Sequence, residues 1–315
     1  MEQTKSQRTA YGLSLVKNAT KNHEIVALEA DLGKSTMSYM MQETFPDRYL
    51  QMGIAEANMT GVAAGLALTG KIPFMSSFAV FCTARCYDQI RTSICIPNLN
   101  VKICGSSAGL SDYGDGATHQ SIEDIAIMRA LPNMSVFVPC DAIQTEQIID
   151  YMADHHGPMY IRINRNDIPL LTEKEQPFIP GELYKLKAGD DLLIIACGAM
   201  VSKSLKASYE LEKMGYSVAV VNAPTIKPLN LDSLVTLCKE YDDIIVAEEH
   251  SIIGGLASAI SDSIDSLLSI KIHRVGINDT FGQSSNSYED LMDHYGLTSQ
   301  RIITTAISVL NGNSI

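Results

Sequence analysis

Tryptophan is absent from the 315-residue chain, and phenylalanine occurs only seven times. Basic residues are also scarce: 24 Lys+Arg stand against 36 Asp+Glu, a formal net charge of −12. A chain of that sign gains nothing from counterion release, which argues against nucleic acid or an anionic membrane as its main partner. No apolar run reaches the ~18 residues that a spanning helix needs. The first residues, MEQTKSQRTAYG, lack the apolar stretch of a signal peptide, so a cytoplasmic location is expected. Cys82, Cys86, Cys95, Cys104, Cys140, Cys197 and Cys238 are odd in number, scattered and without a CxxC pair. They read as buried free thiols of a reducing compartment, not as a disulfide framework or a zinc site. There is no Walker P-loop, no HExxH and no strand-linked GxGxxG. That argues against a Walker ATPase, a zincin and a simple dinucleotide enzyme.

What the chain does have is an alternating pattern. It is 46% hydrophobic and 19% charged, long enough for two domains. Short β-branched runs at 25–29, 72–76, 101–104, 136–139 and 160–163 are followed by a second set at 192–196, 218–221, 244–247 and 270–275. Between them lie helical patterns at 56–68, 81–94, 122–130, 144–154, 202–214, 231–239, 255–266 and 300–310. Strands alternating with helices of this length predict an α/β protein: two consecutive three-layer αβα domains with mainly parallel sheets. The stretch 169–189 breaks the rhythm with Pro169, Pro177, Pro180, Gly181 and Gly189, and reads as a linker. The expected domains are therefore 1–168 and 190–315.

Ligands of open parallel sheets bind beyond the carboxyl ends of the strands, so the loops there carry the candidate residues. Glu56 stands near the start of a helix rich in Ala and Gly. Alone, it is an acid favoured by the helix dipole. Phe78 and Phe81 could stack on a flat heterocycle or pack in the core. The segment 106–120, SSAGLSDYGDGATHQ, is too long for a mere connection, and within it Asp115 and His119 can exchange protons near neutral pH. Arg165 falls beyond a strand end, where a guanidinium can hold an anionic group or pair on the surface.

Six motifs in order resemble the C-terminal half of transketolase: Ala30-Asp31-Leu32, Gly53-Ile54-Ala55-Glu56, Ser77-Phe78-Ala79-Val80-Phe81, Asp88-Gln89-Ile90-Arg91, Asp115-Gly116-Ala117-Thr118-His119-Gln120 and Ile122-Glu123-Asp124. The resemblance spans essentially the whole chain. It is nearest to the separate C-terminal subunit of split transketolases, with a pyrimidine-binding domain followed by the family's C-terminal domain. It implies a thiamine diphosphate enzyme that moves a two-carbon ketol unit from a ketose to an aldose, as in pentose phosphate metabolism. It implies an N-terminal partner subunit that holds the diphosphate with Mg²⁺ or Ca²⁺, no metal ligands in this chain, and an α2β2 assembly. Glu56 then shares a proton with the aminopyrimidine, and Phe78 and Phe81 wall that ring. Asp115 and His119 meet sugar hydroxyls, His119 as a catalytic group. Arg8, Ser35 and Arg165 bind the terminal phosphate. Two departures stand out. Ala84 replaces a third aromatic, and Ser107 occupies a phosphate-binding histidine's position. Ser107 points to a sulfonated ketose such as 6-deoxy-6-sulfofructose as an alternative substrate. After Gly114-Asp115-Gly116, the stretch 140–147 has no Asn to complete a metal–diphosphate motif. The β-subunit of a 2-oxo acid dehydrogenase E1 shares this plan, and a non-catalytic subunit is a further alternative. His250 and His273 are expected to be structural.

Overall fold

Fourteen strands form three sheets in the computed structural model, which describes residues 3–312. In chain order they are β1 (Thr4–Ser6), β2 (Ile25–Glu29), β3 (Tyr49–Gln51), β4 (Ile72–Phe78), β5 (Lys102–Ser106), β6 (Ser135–Phe137), β7 (Met159–Arg162), β8 (Asp167–Pro169), β9 (Tyr184–Lys187), β10 (Leu192–Ala196), β11 (Val218–Asn222), β12 (Thr225–Lys227), β13 (Asp243–Ser251) and β14 (Lys271–Ile277). The first sheet runs β12-β6-β7-β5-β4-β2-β3 and the second β14-β13-β10-β11-β9. All pairings in these two sheets are parallel except the edge strands β12 and β9. Helices cover both faces, so central strands such as β2, β5, β10 and β11 are buried along their whole length. One apolar cluster runs from Val26, Met75 and Ile103 to Leu193, Val221 and Ile260, joining the two domains.

The structure adds short elements absent from the sequence reading, among them β1, β3, β8 and the helices Tyr39–Thr44 and Tyr288–His294, and departs from it in four further places. The expected linker carries β9, which pairs antiparallel with β11, so the second sheet starts before residue 190. The strand β12 leaves the second domain and pairs with β6 of the first sheet, with Val138 N–H donating to the Pro224 carbonyl. The helix Gln7–Lys21 was not anticipated; Ser6 caps it by accepting from Thr9 N–H. It packs so closely on the next segment that a Cβ on Gly12 would lie 2.6 Å from the Met37 carbonyl oxygen. Finally, 81–94 is not one helix. It is a chain of short turns, Ala79–Cys82, Ala84–Cys86 and Tyr87–Gln89, ending in a π-helical stretch, Ile90–Cys95. Thr83 contributes to the break, because its hydroxyl donates to the Ala79 carbonyl at 2.6 Å.

Polar contacts fix the two domains together behind the strand ends. Buried Arg162 donates to both Asp124 oxygens and to the Ser121 and Glu249 carbonyls. Glu249 in turn accepts from Leu110 N–H and the Tyr288 hydroxyl. All seven cysteines are buried and free. His250 is buried, and His273 lies 2.6 Å from Asp243.

Candidate active site

Strand order brings β5, β4 and β2 side by side, so the loops after them converge at one end of the first sheet. Glu56 opens the helix Glu56–Leu68, where unpaired backbone N–H groups and the helix dipole favour an acid. Its side chain is only 3% exposed. It is held by Arg85, whose Nη1 donates to Oε1 at 2.8 Å while 47% of the Arg85 side chain remains in solvent. The broken helix aims Arg85 this way: its guanidinium lies 4.2 Å from the centre of the Phe81 ring. Glu56, Arg85 and Phe81 line a cavity of about 420 Å³ together with Asp31, Ile54 and His119.

Phe78 and Phe81 are stacked with centroids 6.0 Å apart, but they are not two panels of one wall. Phe81 faces the cavity, whereas buried Phe78 lies outside its lining. His119 stands edge-on to Phe81 at 5.2 Å, and its Nδ1 is 3.0 Å from the Thr118 hydroxyl. Asp115 is exposed on the same loop. Ala84 is exposed and leaves the third aromatic position open.

A second group lies beside this cavity. Arg8 Nη1 donates to the Ser35 carbonyl, not its hydroxyl, at 2.7 Å, and its Nε is enclosed with no partner. Burial lowers the Arg8 pKa, and the charge of nearby Arg165 adds to that effect. Arg165 Nη1 is bound at 3.0 Å to Asp112, a residue the sequence reading passed over. Desolvation raises the Asp112 pKa against the pull of Arg165, and the neighbouring charge of Asp115 adds to the rise. Ser35 lines a separate pocket of about 390 Å³ with Asp31, Gly33 and Lys34.

Ser107 is fully buried, in a left-handed conformation (φ 53°), with its hydroxyl unpartnered. Residues 105–109, Gly-Ser-Ser-Ala-Gly, also spell the GxSxG pattern of a nucleophile elbow. The segment is no such elbow: the Ser107 hydroxyl contacts no histidine, and the chain continues as a loop. Among the described residues no three His, Cys, Asp or Glu side chains converge as a metal set.

Residues 3–169 match the transketolase pyrimidine-binding domain, and 181–302 match the transketolase C-terminal domain. The chain belongs to the transketolase family. It is 42% identical to a putative transketolase C-terminal section of Methanocaldococcus jannaschii, over 95% of this chain and 94% of the relative. It is 36% identical to the 6-deoxy-6-sulfo-D-fructose transketolase subunit SqwH of a Clostridium species, over 96% and 94%. A solved structure described as a split-gene transketolase, inactive β4 tetramer, superposes with a TM-score of 0.88 at 42% identity, covering 97% of this chain and 98% of the other. Transketolases depend on thiamine diphosphate. The lining is of the kind that suits the flat pyrimidine of that cofactor, an aromatic ring in Phe81 and a buried acceptor in Glu56, both of them in contact with Arg85 in this chain.

Proposed function

We propose that this chain is the C-terminal subunit of a two-subunit transketolase, transferring a two-carbon ketol unit from a ketose to an aldose. The reading is carried by one observation: a buried helix-terminal carboxylate, Glu56, opens onto a cavity bounded by Phe81 and His119. Thiamine diphosphate, held at its pyrimidine by Glu56 and Phe81, would supply the carbon nucleophile for ketol transfer. Glu56 holds a proton shared with a ring nitrogen of that cofactor, a role for which a buried acceptor is suited. Phe81 supports the ring, and Phe78 backs Phe81. His119 exchanges protons with sugar hydroxyls near the reacting carbons, and Asp115 accepts from another hydroxyl. Arg8 and Arg165, with Ser35, hold the anion at the far end of the sugar.

An N-terminal transketolase subunit completes the site and carries the diphosphate with Mg²⁺ or Ca²⁺. Two facts support this. The stretch 140–147 that follows Gly114-Asp115-Gly116 at the motif's spacing lacks the Asn of a metal–diphosphate motif. The β4 tetramer of the similar split-gene protein is described as inactive. The helix Glu56–Leu68 leaves Gly61, Gly65 and Leu68 exposed, a surface open to close packing within an α2β2 assembly. No helix among the described residues is long and apolar enough to cross a membrane.

A second reading concerns the substrate's tail. Ser107 stands where the family resemblance expects a cation, and a similar subunit acts on 6-deoxy-6-sulfo-D-fructose. A sulfonated ketose in place of a sugar phosphate fits both. The test is a coupled assay of the chain alone and mixed with an N-terminal subunit, with thiamine diphosphate, Mg²⁺ and a panel of phosphorylated and sulfonated ketoses. Turnover only in the mixture is the expected result. Turnover by the chain alone, or none with any ketose, overturns the proposal.

A further inference from the structure

The tail site reads differently once its acids are counted. Arg8 and Arg165 are brought together by the β1–β8 pairing, in which Ser6 opposes Asp167, and by Gln7, which accepts from Asn164 N–H at 2.8 Å; the enclosed Arg8 Nε has no partner within the chain. These two neighbouring guanidinium groups are the cations of the proposed tail site. Arg165, however, is not a free cation. One of its terminal nitrogens is bound at 3.0 Å to Asp112, whose side chain is 4% exposed while that of Arg165 is 34% exposed. Asp167 also faces Arg8, and Asp115 lies near Asp112. The pair Arg165–Asp112 is formally neutral, which leaves Arg8 as the remaining cation of the inner site, itself partly offset by the exposed Asp167. A phosphomonoester carries ≈ −1.5 to −2 at pH 7. A sulfonate carries one negative charge at any ordinary pH. In a partly desolvated site, an unmatched charge is costly.

We propose that Asp112 is a specificity-determining residue: by neutralising Arg165 it adapts the terminal-anion site to a monoanionic tail, a sulfonate, over a dianionic phosphate. This rests on the reading of Arg8 and Arg165 as the tail site. Asp112 acts through Arg165 and has no contact with the reacting carbons assigned to it. Its second effect is geometric. By fixing one terminal nitrogen it leaves the other edge of the partly exposed guanidinium to face a ligand, with three equivalent sulfonate oxygens able to accept from it.

The test compares 6-deoxy-6-sulfo-D-fructose with fructose 6-phosphate as donors for the enzyme assembled from both subunits. The wild type favours the sulfonate in kcat/KM. Removing a charge about one side chain's length from the tail strengthens a dianion more than a monoanion. Asp112→Asn therefore shifts the preference at least about tenfold toward the phosphate, mainly through KM. Asp112→Glu keeps the wild-type preference. A general loss of structure lowers both rates and leaves their ratio alone, so the ratio separates the two causes. Arg165→Ala is the control for the underlying reading, and KM for both donors rises. If Arg165→Ala leaves both KM values unchanged, the tail site itself is misassigned. If it raises them while Asp112→Asn leaves the ratio unchanged, the tail site stands and the role of Asp112 falls. A second readout needs no turnover: methanesulfonate and methyl phosphate are compared for their protection of the isolated chain against thermal unfolding. Protection by methyl phosphate increases selectively in Asp112→Asn; equal changes for both anions refute the inference.

Discussion

Replacing Arg85 with alanine tests the geometry around Glu56 without any cofactor or partner. The carboxylate is 3% exposed, and Arg85 is its ion-pair partner. Three effects are lost together. A half-exposed ion pair contributes ~1 kcal/mol or less. The guanidinium over the Phe81 ring adds ~0.5–1 kcal/mol. A buried acceptor left without its donor costs ~1–3 kcal/mol. Water reaches the open cavity once the long side chain is gone and offsets part of the last contribution. A net loss of about 2 kcal/mol is expected, well below the ~3–5 kcal/mol of breaking a fully buried pair. For a domain of this size that lowers the midpoint of thermal unfolding by ~4–8 °C. Calorimetry and urea unfolding of the isolated chain read the change directly. The double-mutant cycle with Glu56→Gln is the sharper measurement. A coupling of ~1 kcal/mol or more is expected, because an uncharged amide keeps less of the interaction. Additivity within ~0.3–0.5 kcal/mol refutes the argument, since it means that Arg85 does not stabilise the Glu56 carboxylate.

Glu56→Gln in the assembled enzyme keeps assembly, read by size-exclusion chromatography, and lowers kcat by at least ~100-fold, because the amide cannot share a proton as the carboxylate does; near-normal turnover removes Glu56 from the mechanism. Phe81→Ala strips the ring from beneath both Arg85 and His119, so the assembled enzyme binds thiamine diphosphate about tenfold more weakly in calorimetry; unchanged affinity means that Phe81 does not support the cofactor. Fully buried Lys102 has its pKa pulled down to about 7 by desolvation. Between pH 7 and 10.5 the unfolded chain therefore binds more protons than the folded one, and this group makes stability rise with pH. Below pH 7 its destabilising effect is fully present. Lys102→Met removes that contribution, so the stability difference between wild type and mutant, read from urea titrations, moves toward the wild type by on the order of 1–4 kcal/mol from pH 7 to pH 10; a pH-independent difference refutes the shifted lysine.

The parallel core was legible because its strands carry their own signal. Runs such as Ile25–Glu29 and Leu192–Ala196 are apolar throughout, as strands covered on both faces must be. The N-terminal helix carried no such signal. Its buried face includes Gln7, Ser14 and Asn18, whose amides and hydroxyl make the residues look like solvent-facing positions. Gln7 donates to the Pro139 carbonyl and accepts from Asn164 N–H, so a polar residue does the packing there. The strand β12 escaped for another reason. It is three residues long, and its partner belongs to the other domain, a pairing that no local pattern encodes.

In the site, motif order located the loops, and chain geometry then decided which residues share a surface. Phe78 and Phe81 are equivalent by spacing, yet the strand ends at Phe78, which turns it beneath Phe81 and leaves one ring at the cavity. Asp112 was missed because it sits in a loop whose attention-drawing residues, Asp115 and His119, follow within seven positions. Only its 3.0 Å contact with Arg165, 53 residues away, marks it. Arg85 was missed for a related reason. Its significance depends on the break at Thr83; a continuous helix through 81–94 would direct residue 85 by a regular 3.6-residue period, whereas the observed short turns bring it over Phe81 and onto Glu56. The residues that complete the candidate site are thus those whose partners lie far along the chain, and the two of them carry opposite charges. Arg85 neutralises Glu56 at the cavity, and Asp112 neutralises Arg165 at the proposed tail site. The chain alone balances both charges internally, so a proposed tail anion would meet the free edge of an already paired Arg165, whereas a ring nitrogen at Glu56 would have to share that acid with Arg85.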